Sequence, residues 1–143
     1  MGRWLGLAAF FVLGLLIAVL VPFGSSGVRS VAERFQAPPD AVPFEDRVTP
    51  RQVICTGGSP CPSLFRSWKL PRRLDRTDFE GLVTASGLAL RLQGDCQPGP
   101  NSFARVAVCS ASGEVDGYDV TVNQLGDSRS ETAVLTLDVR PLG

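Results

Sequence analysis

The residues of this chain with the widest chemical repertoire are its four cysteines, Cys55, Cys61, Cys96 and Cys109. A thiolate can ligate a metal, exchange electrons, attack an electrophile or pair in a disulfide, and spacing separates these uses. Zinc sites favour short C-x-x-C-like pairs, often completed by histidine. Here five residues lie between Cys55 and Cys61, twelve lie between Cys96 and Cys109, and histidine is absent. A thioredoxin-like site needs C-x-x-C, which this spacing does not give. Disulfides are therefore the expected use, with a four-thiolate metal site as the alternative. Four cysteines allow three pairings. Cys55–Cys61 with Cys96–Cys109 is favoured. "TGGSP" gives the first ring two glycines and a proline for a tight reversal, and "QPGPNSFARVAV" gives the second a turn and a returning strand. Chain entropy assigns about 2.4 kcal/mol to the first ring and about 3 kcal/mol to the second. The crossed pairing, joining the first strand to a later one, is the runner-up.

The missing histidine also removes Ser-His-Asp and Cys-His catalysis, histidine-ligated metals and the usual switch near neutral pH. Ser67 and Lys69 are two apart and share a face if the segment is a strand, which a Ser–Lys dyad would need. Nothing else in the sequence supports one. The carboxylates fall on turns without a glycosidase context, and phosphate-cradling loops of the forms GxGxxG and GxxxxGK do not occur. Glu114, Asp116 and Asp119 in "GEVDGYD" carry oxygens that suit calcium, but EF-hand spacing is missing. Asp-Gly is itself a strong hairpin signal, and the hairpin is the expected reading. No catalytic, cofactor or metal site is expected, and the chain reads as a non-enzyme.

The stretch "FRSWKLPRRLDR" gathers Phe65, Arg66, Trp68, Lys69, Arg72, Arg73 and Arg76. As a unit it is a candidate binding patch, basic with an aromatic anchor, suited to lipid head groups, an anionic wall polymer or an acidic partner. Asp75, Asp78 and Glu80 follow closely, so the bland alternative is a solvated strand end. Lys69 is the single lysine; every other cation is arginine, which reads as coding bias. Acidic and basic side chains are equal at 14 each, and beyond residue 29 they stand at 14 to 12, a net −2. Nothing in that balance favours nucleic acid.

These residues need elements to hold them. Residues 4–23, "WLGLAAFFVLGLLIAVLVPF", carry no charge. Twenty residues make a helix of about 30 Å, enough to cross a bilayer core. The segment is expected to be an uncleaved signal anchor following a three-residue cytoplasmic start. A cleaved signal peptide, cut near "GSSG", is the alternative. Arg3 precedes the run while Arg29 and Arg34 follow it, so charge alone does not orient it. All four cysteines lie after it, and disulfides persist outside the cytoplasm. The N-terminus is therefore placed in the cytoplasm and the rest outside. Residues 24–50 read as a stalk: a flexible "GSSG", a capping box "SVAE" starting one short helical turn, then Pro38, Pro39, Pro43 and Pro50 in an extended spacer.

From residue 51 to 143 the apolar period is two. Leu88, Leu90 and Leu92 alternate with polar or small neighbours, as do Val106 and Val108, then Tyr118, Val120 and Val122, then Ala133, Leu135, Leu137 and Val139. "RQVIC" and "SLFRSWKL" are weaker strand candidates, and no segment after residue 37 shows a clear helical period. Short strands divided by Gly- and Pro-rich turns predict a mainly β domain, a small disulfide-bonded β-sandwich of immunoglobulin-like or similar type. The expected function is a single-pass, membrane-anchored, extracytoplasmic binding or accessory module of the cell envelope. Its partners would be the membrane, another envelope protein, and an anionic lipid or wall polymer. The alternatives are a secreted β-protein and an enzyme or ligand carrier of unrecognised class.

Overall fold

The structure is a computed structural model that describes residues 23–49, 62–100 and 102–142, with side chains from residue 27 onward. All but the last residue of the apolar run, the strand candidate "RQVIC" and the Cys55–Cys61 pair lie outside the described residues. Among the described residues, no helix is long and apolar enough to cross a membrane.

Two helices and six strands follow one another as α1 (Phe23–Glu33), β1 (Val42–Thr49), β2 (Ser63–Leu70), α2 (Arg76–Ala85), β3 (Arg91–Gly94), β4 (Val106–Val115), β5 (Tyr118–Gly126) and β6 (Ala133–Pro141). The strands make one antiparallel sheet in the order β1-β2-β6-β5-β4-β3. β6 is last in the chain yet lies inside the sheet, between β2 and β5. The period of two in β5 and β6 does what it predicts. Val120 and Val122 of β5 and Leu135, Leu137 and Val139 of β6 are fully buried on one face, joined there by Leu64 and Leu70 of β2. That face packs on α1 through Val28, Val31 and Ala32, on Phe35 just beyond it, and on α2 through Phe79 and Val83. Phe35 meets Trp68 with ring centroids 5.8 Å apart.

The expected sandwich is corrected here. Among the described residues there is one sheet, and helices occupy the layer where a second sheet was expected. The β1–β2 hairpin extends the sheet by pairing β2 with β6, so it is not free to stack across the core. The expectation of no helix after residue 37 also fails. Asp75 caps α2 by accepting from the Asp78 amide at 2.8 Å, and Ser86 and Gly87 close its other end onto Leu82, Val83 and Thr84 carbonyls. Its apolar stripe is only Phe79, Leu82 and Val83, short enough to be lost in the strand pattern on either side.

Residues 24–50, where the sequence suggested a stalk, supply α1 and β1 instead. Val28, Val31 and Ala32 fall three and four apart and are buried, so this helix is anchored by packing and runs well beyond one turn. Pro38, Pro39 and Pro43 fit this arrangement without forming a spacer, and Pro50 lies outside the described residues. Pro38 and Pro39 lie in the turn between α1 and β1, and Pro43 sits on an edge strand, where a missing donor is tolerated.

Candidate functional site

Cys96 and Cys109 form the expected disulfide, with Cα atoms 4.5 Å apart, which excludes the crossed pairing. Both are buried at the β3–β4 end of the sheet. Gly94, at φ +87°, pairs with Cys109 and lets the chain turn so that Cys96 comes back beneath β4. Beside them Gln124, fully buried, holds the connector between β2 and α2. Its Oε1 accepts from the Leu74 amide at 2.8 Å, and its Nε2 donates to the Leu74 carbonyl at 2.9 Å. The disulfide is thus part of the core, far from the exposed, electropositive setting of a reactive thiol.

"VDGY" closes β4 onto β5 in a two-residue turn, Asp116 and Gly117 both at positive φ, as the hairpin reading requires. The Asp116 carboxylate pairs with Arg34 at 3.1 Å. Glu114 and Asp119 face each other across the strands. Among the described residues, no cluster of three or more potential ligands could hold a metal ion.

The seven residues of the basic segment do not converge. Arg66 and Trp68 face the helices, whereas Phe65 and Lys69 face the opposite side of the sheet. Arg66 pairs with Asp46 at 3.1 Å, and Arg72 pairs with Asp78 at 3.1 Å. Arg73 donates to the carbonyls of Asp127 and Ser130, and Arg76 to that of Gly94. Four of the five cations are therefore fastening one part of the fold to another. Lys69 is different. Its ammonium lies 4.4 Å from the centroid of the Phe44 ring. Phe44 is the extra residue of a bulge in β1, and it stands 61% exposed. Ser67 shares the face with Lys69, but its buried hydroxyl has no hydrogen-bond partner, so no Ser–Lys contact is made.

The sheet face turned away from the helices carries a continuous polar row. Glu45 stands opposite Ser67, Ser67 opposite Thr136, Thr136 opposite Asn123, Asn123 opposite Ser110, and Ser110 opposite Gln93. At the usual strand spacing this row is about 24 Å long. Hydroxyls and amides make up all of it beyond Glu45, a set that donates and accepts without fixed charge. Below the row is a cavity of about 220 Å³ lined by Asp119, Thr121, Asn123, Asp138 and Arg140. The Asp138 hydrogen bond, followed by the charges of Asp138 and Asp119, holds the Arg140 guanidinium above its ordinary range against a small effect of burial. Above the row, a cavity of about 300 Å³ opens at the end of β2 and the start of β6. Lys69 and Arg105 both line it, with Asp40 and Thr132, over a floor that includes Leu70, Pro71 and Val134.

Sequence reading reached Lys69 but not its companions. Arg105 lies 36 positions away and comes near Lys69 only because β4 starts at the end of the sheet where β2 finishes. Phe44 sits in the segment read as a stalk. Asn123 and Thr136 were visible as the outward residues of alternating strands. Comparison with protein-family models, with curated proteins and with solved structures finds no match to this chain.

Proposed function

We propose that this chain is a single-pass membrane protein whose β-domain, outside the membrane, is a non-enzymatic binding or accessory module of the cell envelope. The observation that carries the binding role is the sheet face itself. One face is spent on the core; on the other, Gln93, Ser110 and Asn123 of β3, β4 and β5 present amides and a hydroxyl, while Ser67 and Thr136, between them and Glu45, are buried. Such a row offers directional hydrogen bonds to an extended partner or to a partner's surface loop. The apolar run at residues 4–23 supports the anchor. α1 begins at Phe23, where that run ends, so the anchor reading places the domain close against the bilayer with little reach. The partner we favour is another envelope protein engaged within that short distance.

Photocrosslinking tests this, with a crosslinker at Ser110 or Asn123 in intact membranes. With the crosslinker at Ser110, a discrete crosslinked species that disappears on Asn123→Asp and Gln93→Glu substitution is the expected result. A chain that purifies as a solitary, uncrosslinked monomer would sink the binding role. The secreted alternative is decided separately by N-terminal sequencing of the mature protein, since a start near residues 25–28 would remove the anchor.

A further inference from the structure

Among the described cations, Arg34, Arg47, Arg66, Arg72 and Arg140 contact carboxylates, and Arg73 and Arg76 contact backbone carbonyls. Arg29, Arg91 and Arg129 have neither contact among the described residues but line no cavity with another such cation. Lys69 has no carboxylate within ion-pair distance among the described residues, and Arg105 has Asp127 only at 4.0 Å. These two loosely engaged cations line the same cavity of about 300 Å³. Its floor is apolar; Val42 in its lining is 60% exposed, and Phe44, whose ring the Lys69 ammonium approaches, is 61% exposed. A small free anion would use the two cations and gain nothing from the exposed apolar rim. A lipid uses both, placing its phosphate between the cations and its glycerol and first methylenes on the apolar surface.

We propose that this cavity binds the head group of an anionic phospholipid of the phosphatidylglycerol type. Lys69 and Arg105 hold the phosphodiester, the ammonium as a point charge and the guanidinium through its planar fork. Asp40, in the same lining, accepts from the head-group hydroxyls and repels a second negative charge. That combination selects a monoanion carrying hydroxyl donors over a dianionic phosphate. Phe44 keeps the Lys69 ammonium over its ring in the free protein and offers its own exposed edge to the lipid interface. The proposal rests on the membrane reading above and on the sheet lying along the bilayer, because Gly27 packs on Tyr118 at the Pro141 end of β6 whereas the cavity lies at the Ala133 end.

Lys69 is the only lysine, so its acylation can be read by mass spectrometry without ambiguity. The full chain carrying Arg91→Lys, whose new amine lies on β3 at the far edge of the sheet, is reconstituted in nanodiscs. The discs are of phosphatidylcholine alone or with roughly one-third phosphatidylglycerol, and the ratio of the two acylation rates cancels the general surface potential. Lys69 should slow relative to position 91 by about tenfold in the anionic discs, the size of a charge-assisted contact. Arg105→Ala should abolish most of that protection. An unchanged ratio in a chain that does enter the discs overturns the lipid site and leaves the anchor standing. Protection that persists in Arg105→Ala, or that inorganic phosphate reproduces with phosphatidylcholine discs, also overturns it. A chain that fails to enter discs at all overturns both readings.

Discussion

Gln124 is the residue on which most of the interior polar bonding depends. It is fully buried, yet both ends of its amide are used on Leu74, and its Nε2 also lies 3.6 Å from the Cys109 sulfur. Replacing it with Leu keeps the volume but strands the Leu74 amide and carbonyl. Each stranded group costs about 1–3 kcal/mol, so urea denaturation should show a loss of about 2–6 kcal/mol for Gln124→Leu. A loss below 1 kcal/mol, on the order of a surface substitution, would show that Leu74 finds other partners. Gly27 makes a second case. A Cβ there would collide with the Tyr118 hydroxyl, so Gly27→Ala should destabilise, and Tyr118→Phe should recover part of the loss. Purely additive effects in the double variant would contradict this contact. Neither residue was legible as structural in the sequence. The period of two already puts position 124 on the face of Val120 and Val122, but a glutamine there reads as a strand end until its Leu74 partners are seen.

At the scale of elements, the legible ones were those with one buried face. β5 alternates cleanly because helices cover one side and solvent reaches the other, whereas in β6, inside the sheet, Val134 and Thr136 are buried on the outer face as well. β1 shows no alternation because it is an edge strand exposed for most of its length. It also carries Pro43, a bulge at Phe44 and the charges of Glu45, Asp46 and Arg47, all of which discourage a further strand from pairing. Replacing Pro43 and Glu45 together by Val should therefore raise concentration-dependent self-association, measured by light scattering of the full chain in detergent. Unchanged association would mean the edge is guarded by something else. β3 is the weakest element, four residues held to β4 and cross-linked close by through Cys96–Cys109. Cys96→Ser with Cys109→Ala should cost about 3 kcal/mol on the chain-entropy model. Amide exchange should accelerate first in β3, ahead of β5 and β6, and uniform acceleration would contradict a local role for the bridge. For α2, the Asp75 cap and its one-turn stripe were present in the sequence. They lost to the stronger signal of the strands around them.

For the whole molecule, length, the apolar run, the even cysteine count and the period of two gave a membrane-anchored, disulfide-bonded β-domain as the expectation. The structure supplies the β-rich domain and the Cys96–Cys109 bridge. The layer architecture was not legible, because an inward-facing strand row looks the same whether a sheet or a helix lies above it. The candidate sites were legible only in part for a related reason. Lys69, Phe44 and Arg105 come from three separate stretches, and no local pattern ties them together. If the anchor reading holds, alkaline carbonate washing of membranes should leave the full chain in the pellet, while deletion of residues 4–22 should release it to the supernatant. Release of the full chain would count against the anchor.

The place of β6 also governs when this protein can exist. Strands β1 and β2 on one side and β3 to β5 on the other are hydrogen-bonded to each other only through it, and of these six strands it is synthesised after the other five. A nascent chain therefore holds two half-sheets that cannot close until the residues from Ala133 onward have emerged. Slow, long-range closure of this kind leaves the polypeptide threadable throughout synthesis. A protein bound for the far side of a membrane would cross it as an open chain and acquire its sheet only on arrival.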